Sequence, residues 1–455
     1  MYPIKNYLKS VLRNRITFET LISIVYFLLY TYIYKWLFLR DKINKSGVEN
    51  NISWTEKNMM VRSDEEITLS GKTNTQNISV FIDTKEHEVL FSSCKNPDLF
   101  SINLNMNMLP TGWHVITATI NDSNNSSSIY FHKISQRRGV IIDAKTIRSA
   151  QSKKEKNYCF YHKYLINNYS PIGRYFYSLK DDAATYPISH VSHDSNGIIL
   201  VQHPRFKRKY VYNPVTIAQH GLQIYYDGIS NDIENKKRFL RYADWFVENQ
   251  RFDGGYPYSF CMLGRGMFRF SGWTGGMAQG QTLSILSRAY YLTHDKKYLE
   301  AGFKSLKHLS VSISEKGCSC TLEYFTDLAE ELSSYSNNSV VEEYPHIAPD
   351  YVLNGDLFAL IGLYDWSILA TDEYGKAMSK ELFWTGCVAV SILLPYYDYY
   401  VYSSYSLGQW TRNLPPWFSS LYAHDCHIFL CYTLYELTGI KEFDYYYQRF
   451  SEYVS

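Results

Sequence analysis

Hydrophobic and polar positions alternate along the chain with two different periods. In residues 51–135, short runs such as EITLSG, ISVFID and WHVITATI alternate with a period of two, and Asn, Ser, Gly and Asp separate the runs. This pattern is typical of antiparallel strands that bury one face. We therefore predict a small immunoglobulin-like β-sandwich in this region, which serves as a spacer or a partner contact.

From residue 211 to residue 455 the period becomes helical. Apolar residues recur near i, i+3, i+4 and i+7, and clusters of glycine or proline separate the segments 233–249, 277–292, 296–310, 356–366, 374–393, 418–438 and 441–453. Consecutive antiparallel helix pairs with long polar and aromatic connections predict an α/α toroid (an incomplete α/α barrel), whose central cleft suits an extended polymer. Residues 136–210 have a mixed pattern and form the predicted connecting region.

Residues 16–39 are mostly apolar, with Glu19 and Lys35 as their only charges. The uncharged run 20–34 is shorter than the roughly 20 residues that span a bilayer, but its apolar flanks extend it. Aromatic residues crowd the C-terminal end of the segment, as at a membrane interface, and no small-residue cleavage site follows. We therefore predict an N-terminal hydrophobic helix within residues 1–45 as a single-pass or interfacial membrane anchor. A helix packed on the protein's own core is the alternative.

Composition excludes several classes of protein. The 46 basic and 44 acidic residues give a net charge of +2, which excludes a polybasic nucleic-acid binder. A hydrophobic fraction of 45% excludes a disordered chain. The 8 cysteines form neither a C-x-x-C pair nor a zinc spacing, so we expect buried thiols and no metal site built from cysteine. The fold class is a multidomain α+β protein.

Four groups of segments in the helical region carry a family resemblance through their order and spacing. They are YNPVTIAQHGL (212–222); WFVENQ (245–250), GGYP (254–257), Trp273 and MAQGQ (277–281); EEYP (342–345), YVLNG (351–355) and LIGLYD (360–365); and LPYYD (394–398), Tyr405 and His427-Ile428. Together they resemble D-glucuronyl C5-epimerase, which inverts glucuronate to iduronate within heparan-type chains. The sandwich and the anchor lie outside this resemblance.

The resemblance implies catalytic roles for Glu343, Tyr344 and Tyr405. Inverting carbon 5 of a uronate removes a weakly acidic proton from one face and returns a proton to the other, which needs an acid and a base. A tyrosine has a reference pKa of about 10, so a tyrosine base needs activation, for example by a carboxylate. We expect Glu343 and Tyr344 on one face of the sugar and Tyr405, with residues 422–427, around the other.

The chain departs from the family pattern at two places. The family has an arginine three residues after the second catalytic tyrosine, where this chain has Gly408. Arg412, four residues further on, is a candidate substitute for holding the uronate carboxylate.

The second departure is a one-residue shift. The family's Tyr-His-x-x-His places a tyrosine at position 423, where this chain has alanine, and Tyr422 comes one residue early. His424 and His427 occupy the two histidine positions. We expect Tyr422 to hold the second face, with His424 or His427 as the alternative proton carrier.

Further polar and aromatic residues recur in the matching segments and suit contacts to sugar hydroxyls, carboxylates or ring faces. For the amides and the arginine, a structural hydrogen bond is the alternative. The expected substrate-binding residues are Tyr212, Gln219, Trp273, Gln281, Arg288, Asn354 and Arg412.

The expected function is therefore an isomerase that acts on glucuronate within a heparosan-like polysaccharide. Two alternatives stay open: a polysaccharide lyase that removes the same proton, and a membrane-tethered glycan-binding protein without catalysis. No redox or organic cofactor is expected, because the carbon keeps its oxidation state and the chain lacks G-x-G-x-x-G. A structural calcium ion and a homodimer stay open.

Overall fold

The computed structural model describes residues 52–55, 59–62, 66–91, 99–121, 123–135, 138–148, 163–164, 168–178, 191–203, 206–228, 232–264, 267–324, 332–346, 348–412, 414, 417 and 423–454. The anchor predicted within residues 1–45 lies outside this part of the chain, and so does Tyr422.

Strands β1–β10 form two antiparallel sheets, with the orders β1-β3-β7-β6 and β2-β10-β9-β8-β4-β5. The strands are Ser53–Trp54 (β1), Met59–Arg62 (β2), Glu66–Lys72 (β3), Ile78–Ile82 (β4), Lys85–His87 (β5), Leu90–Phe91 (β6), Leu99–Asn105 (β7), Gly112–Ile120 (β8), Ser126–Ser135 (β9) and Arg138–Asp143 (β10).

Alternate residues of these strands meet in one hydrophobic core. Ile67 and Leu69 of β3 reach it from the first sheet, and Ile116 and Ala118 of β8 reach it from the second. The two sheets therefore pack face to face. The second sheet extends through β10, beyond the predicted boundary at residue 135, and the immunoglobulin-like type stays a prediction.

Short strands connect the sandwich to the helices and lie between the helices. β11 (Lys163–Tyr164) pairs with β12 (Tyr177–Ser178), and a three-stranded sheet follows. The further strands are Val191–His193 (β13), Ile199–His203 (β14), Phe206–Val211 (β15), Met262–Gly264 (β16), Met267–Arg269 (β17), Ser319–Thr321 (β18) and Ser339–Val341 (β19). β16 pairs with β17, and β18 pairs with β19.

The helices of the C-terminal region form consecutive pairs. They are Pro214–Gly228 (α1), Ile233–Glu248 (α2), Gly276–Thr293 (α3), Lys296–Ser310 (α4), Leu353–Leu369 (α5), Glu373–Tyr397 (α6), Gly408–Thr411 (α7), Ala423–Thr438 (α8) and Lys441–Glu452 (α9). α1 packs on α2, α3 on α4, α5 on α6, and α8 on α9. The first helix of each pair also contacts the first helix of the next pair, in the order α1, α3, α5, α8. These four helices therefore form the inner layer of an incomplete α/α ring.

Burial explains the sequences of the inner helices. Every residue of α3 from Gly276 to Ala289 is buried, so all faces of the helix are covered and its apolar residues do not form a single stripe. The outer helix α4 instead buries one face, with Tyr298, Leu306 and Leu309 among its buried residues. The predicted helical segments agree closely with the observed bounds. Residues 418–422 of the segment predicted over 418–438 lie outside the described residues.

Within the described ranges, α6 is the one helix that is long and apolar enough, by length and composition, to cross a membrane. Half of its most apolar stretch is buried inside the protein, where it packs against α5, α9 and β19. Its apolar character is therefore accounted for by the core of the helical region.

The loop between α6 and α7 packs on the sandwich. The ring of Trp113 on β8 lies 5.6 Å from Tyr400, and the ring of Tyr130 on β9 lies 5.3 Å from Tyr400. At the base of the loop, Asp398 accepts hydrogen bonds from Arg449 and Tyr453 of the C-terminal region. The loop that leads to Tyr405 is thus held between the sandwich and α9.

Candidate active site

The segment that follows β19 is held by a buried carboxyl group. The Glu342 side chain accepts the backbone N–H of Tyr344 at 3.2 Å and that of Tyr351 at 2.7 Å. The Glu342 carbonyl accepts the N–H of Gly276 at the start of α3 at 3.0 Å. Burial raises the pKa of Glu342 to about 8. These bonds fix the backbone on both sides of Glu343.

The Glu343 side chain is buried against the first turn of α5. A Cβ atom added to Gly355 would lie 2.5 Å from both Cβ and Oε2 of Glu343, which is closer than side-chain atoms approach. Position 355 therefore requires glycine, because any side chain would displace the carboxyl group.

Two tyrosine hydroxyl groups join the Glu343 carboxyl group. The Tyr405 hydroxyl donates to Glu343 Oε2 at 3.3 Å, and the Tyr344 and Tyr405 hydroxyls lie 3.2 Å apart. Tyr405 is fixed through its backbone, because its carbonyl accepts the N–H of Leu353 and its N–H donates to the Trp417 carbonyl. The sequence-predicted residues Glu343, Tyr344 and Tyr405 thus form one hydrogen-bonded cluster, called here the Glu343 cluster.

The electrostatics of the Glu343 cluster favour proton transfer near neutral pH. Burial raises the pKa of Glu343 to about 7, while hydrogen bonds from Tyr344 and Tyr405 oppose the increase. Burial and the neighbouring Glu343 raise the pKa of Tyr344 well above its usual range. At neutral pH Glu343 therefore populates both protonation states, and in its charged form it can accept a phenolic proton.

Two residues beside the Glu343 cluster were not predicted from the sequence. Arg269 is buried on β17 and donates from Nη2 to the Tyr344 carbonyl at 3.1 Å, with its guanidinium 5.0 Å from the Tyr344 ring centre. His346 is half-buried, and burial together with Arg269 and Arg412 lowers its pKa. The only sequence signal was an arginine between two phenylalanines shortly before Trp273.

Trp273 forms an aromatic wall next to the Glu343 cluster. Its ring stacks on Tyr258 at 3.7 Å, lies 5.9 Å from the Tyr344 ring, and donates through Nε1 to the Phe260 carbonyl. The tryptophan is therefore fixed in orientation and only partly buried, which suits stacking on a sugar ring.

Asn354 also adjoins the Glu343 cluster, since it lies between Leu353, which bonds to Tyr405, and Gly355, which contacts Glu343. Its Oδ1 atom is buried and has no hydrogen-bond partner among the described residues. This position is compatible with the predicted substrate contact.

Tyr212 and Gln219 lie at and near the start of α1. The Tyr212 hydroxyl donates to Asp194 at 2.8 Å, and its ring lies 5.5 Å from Trp245. Gln219 is buried, and its Nε2 has no partner within the described part of the chain. Their predicted roles in substrate binding stay predictions.

Three predicted substrate contacts lie within the protein interior or in ion pairs, and two of them, Arg288 and Arg412, have charged protein partners. Arg288 is fully buried and bridges to Asp365 at 2.6 Å and to the Tyr169 hydroxyl at 2.9 Å. Gln281 is buried close to the Tyr175 hydroxyl in the same interior network. Both residues lie inside the helical core, where α3 is covered on all sides. Arg288 is held there by Asp365, whereas the Gln281 amide has no hydrogen-bond partner among the described residues, and its substrate role stays a prediction.

Arg412 is the third of these residues. Its Nε donates to Asp350 Oδ1 at 2.9 Å, and its Nη2 contacts the same oxygen. Its charge is neutralised by this ion pair. The expectation that Arg412 substitutes for the arginine absent at position 408 is therefore corrected.

The two predicted histidines meet at Ser403, two residues before Tyr405. The Ser403 hydroxyl lies 2.7 Å from His424 Nδ1 and 2.6 Å from His427 Nδ1. The Ser403 N–H donates to His424 Nδ1, so His424 Nε2 carries the proton and donates to the Phe450 carbonyl. Both nitrogens of His424 are thus engaged by the protein, and burial lowers the pKa of His427 well below its usual value.

The expected division of the catalytic residues between two faces of the sugar is also corrected. A pyranose ring cannot lie between the Tyr344 and Tyr405 hydroxyls, because they are within hydrogen-bonding distance of each other. Both tyrosines come to the same end of α5, where Leu353 bonds to Tyr405 and Gly355 contacts Glu343. The three groups of the Glu343 cluster would therefore all meet a bound sugar ring from one side.

Comparison with known proteins identifies the region that contains the Glu343 cluster. Residues 249–452 match the family model described as D-glucuronyl C5-epimerase C-terminus. The chain is 32% identical to the D-glucuronyl C5-epimerase of Caenorhabditis elegans over 219 residues, which cover 46% of this chain and 33% of that protein. An uncharacterized protein of Methanocaldococcus jannaschii is 27% identical over 190 residues, which cover 40% of this chain and 52% of that protein. The match thus spans about a third to a half of each relative.

Two solved structures show a distant likeness to this chain. A polysaccharide lyase matches with 12% identity and a TM-score of 0.30, covering 89% of this chain and 57% of that chain. A family 76 glycoside hydrolase from Bacteroides thetaiotaomicron matches with 11% identity and a TM-score of 0.33, covering 86% and 87%. Likeness at this level carries no argument about fold or function. The sequence matches do: the C-terminal region of this chain, which holds Glu343, Tyr344 and Tyr405, is similar to the C-terminal region of D-glucuronyl C5-epimerases.

Proposed function

We propose that the chain is a polysaccharide glucuronate 5-epimerase, which inverts D-glucuronate to L-iduronate within a heparosan-like polymer. The observation that carries the proposal is the Glu343 cluster, in which the Tyr405 hydroxyl donates to Glu343 Oε2 and adjoins the Tyr344 hydroxyl. It lies within the region that matches the epimerase family.

In the proposed reaction, the charged Glu343 accepts the phenolic proton of Tyr405. The resulting phenolate removes the proton from carbon 5 and becomes a phenol again, and the electron pair moves into the uronate carboxyl group as an enediolate. A proton delivered to the opposite face gives the inverted product. Tyr344 stabilises the phenolate by donating a hydrogen bond to it.

For the opposite face we keep Tyr422 as the proton donor. The alternative, His424, has both ring nitrogens engaged by Ser403 and Phe450. We expect Tyr422→Phe to permit exchange of the carbon-5 proton with retention while blocking inversion. If Tyr422→Phe inverts the sugar at the wild-type rate while His424→Ala is inactive, then His424 is the proton donor and the assignment of Tyr422 is wrong.

The proposed function is tested by incubating the protein with heparosan in deuterated water. We expect deuterium at carbon 5 and the anomeric signals of iduronate in NMR spectra. Glu343→Gln should reduce both by about 10²-fold or more, since it removes an acid–base group. Tyr364→Phe is the control, because Tyr364 is a half-buried tyrosine of α5 that packs against Phe383.

Two other outcomes identify the alternatives. Polymer binding without deuterium incorporation would indicate a glycan-binding protein, which the absence of an arginine at 408 and of a tyrosine at 423 favours. An unsaturated product that absorbs in the near ultraviolet would indicate a lyase, because elimination of the 4-linked sugar starts from the same proton removal. Either outcome would contradict the epimerase proposal.

We also propose that residues 16–39 attach the chain to a membrane. The support is their apolar composition, which would otherwise expose a hydrophobic stripe to water.

A further inference from the structure

Among the described buried and half-buried arginines of the helical region, all but one form an ion pair with an aspartate. Four of them pair with an aspartate: Arg251 with Asp253, Arg288 with Asp365, Arg412 with Asp350, and Arg449 with Asp398. Arg269 is the exception. It is 5% exposed, yet no carboxylate within the described ranges forms an ion pair with it.

Arg269 has few partners for its five N–H donors. Nη2 donates to the Tyr344 carbonyl, and the guanidinium lies over the Tyr344 ring. Nε is buried and has no hydrogen-bond partner in the described part of the chain. A buried cation with unsatisfied donors is costly, and an anion in contact with it would remove that cost.

The neighbouring acids Glu342, Glu343 and Asp350 attract this charge, but none of them forms an ion pair with Arg269 among the described residues. Asp350 is engaged by Arg412, and both carboxyl oxygens of Glu342 accept backbone N–H groups. Burial raises the pKa of Glu342 to about 8, so this carboxyl group is largely protonated at pH 7. Burial also lowers the pKa of Arg269, whereas the paired arginines Arg288 and Arg449 have raised pKa values.

We propose that Arg269 binds the carboxylate of the substrate uronate and thereby selects uronates over neutral sugars. This inference rests on the proposed function. Gly408 has no side chain and Arg412 is bound to Asp350, so neither supplies the cation. Arg269 contacts Tyr344 through both the carbonyl and the ring, which places the bound carboxylate next to the Glu343 cluster. The β16–β17 hairpin is therefore part of the substrate site.

The test is calorimetric binding of a heparosan oligosaccharide and of its carboxyl-reduced counterpart. Glu343→Gln serves as the background, so that no turnover occurs. The Glu343→Gln variant should bind the oligosaccharide that keeps its carboxylates more tightly than the reduced one. Adding Arg269→Met should reduce this ratio of affinities about ten- to a hundredfold, as expected for a lost charge-assisted hydrogen bond. Arg269→Lys keeps the charge but lacks the two parallel donors of a guanidinium, so its preference for the carboxylate should lie between those of the background and Arg269→Met.

Arg241→Gln is the matched control, because it removes one positive charge from an exposed pair with Glu234. It should leave the preference unchanged. Melting curves establish that each variant is folded, and Arg269→Lys carries the test if Arg269→Met does not fold. An undiminished carboxylate preference in the Arg269 variants would overturn this inference alone. If the background protein binds neither oligosaccharide, the proposed function fails, and the inference fails with it.

Discussion

Glu343 titrates near neutral pH because of where its carboxyl group lies in the folded protein. Its carboxyl group is buried between Gly355 and two phenols, and burial raises its pKa to about 7. The same side chain on a solvated loop would titrate near its reference value of about 4.3. The residue type is visible in the sequence, whereas the pKa follows from contacts with residues 12 and 62 positions away.

Activity and stability should respond to pH in opposite directions. The base form of Glu343 populates above a pH of about 7, so kcat/KM for deuterium exchange should rise through that value. Glu342 and Glu343 have raised pKa values, so the folded protein holds more protons than the unfolded chain between the ordinary glutamate range and a pH of about 8. The free energy of unfolding should therefore fall as pH rises through this window.

Exchange kinetics and urea unfolding between pH 5 and pH 9 measure the two effects. Glu343→Gln is the matched variant, because it keeps the shape and removes the titration. Its unfolding free energy should vary less with pH than that of the wild type. An acidic limb of kcat/KM near pH 4 in the wild type would contradict the assignment of Glu343 as the group that activates Tyr405.

At the scale of elements, the inner helices pack closely through small residues. A Cβ atom added to Gly362 of α5 would lie 1.9 Å from the Gly280 carbonyl of α3, so the two helices touch backbone to backbone. This close crossing brings Arg288 and Asp365 together inside the core. Both residues were visible in the sequence, but their pairing depends on the crossing.

Arg288→Met should destabilise the protein rather than act on substrate binding. It leaves Asp365 as an uncompensated buried charge, which costs about 3–5 kcal/mol of unfolding free energy. Chemical denaturation measures the loss. Combining Arg288→Met with Asp365→Leu should recover most of it, because neither charge then remains. A stable Arg288→Met variant with selectively weakened oligosaccharide binding would restore the substrate role expected from the sequence.

At the scale of the whole molecule, the sandwich contacts the loop that leads to the active site. Trp113 and Tyr130 pack on Tyr400, and Asp398 at the base of the loop is bonded to Arg449 and Tyr453. Ser403 and Tyr405 follow in the same loop. The sandwich therefore supports the position of a proposed catalytic residue in addition to any spacing role, which its alternating sequence alone did not indicate.

Deleting residues 1–45 should release the protein into the soluble fraction while leaving epimerase activity largely intact. The physical reason is the loss of the apolar segment 16–39, whereas the Glu343 cluster lies in residues 343–405. Fractionation of expressing cells and the deuterium assay measure the two outcomes. The full-length chain is the control, and a truncated protein that still pellets with membranes would contradict the anchor.

The sequence by itself determined the elements and the chemistry available to the protein. Helix and strand periods depend on neighbouring residues, so α2 to α6, α9 and the sandwich strands β3, β4 and β8 were predicted close to their observed bounds. The family resemblance of the motifs pointed to Glu343, Tyr344 and Tyr405 as candidate catalytic residues. Tertiary structure decided which polar residues meet, because Arg288–Asp365, Arg412–Asp350 and Tyr405–Glu343 are separated by 77, 62 and 62 residues. Folding then paired Arg288 with Asp365 inside the core and left Arg269 without an aspartate, since pairing and desolvation depend on the packed core rather than on any local pattern.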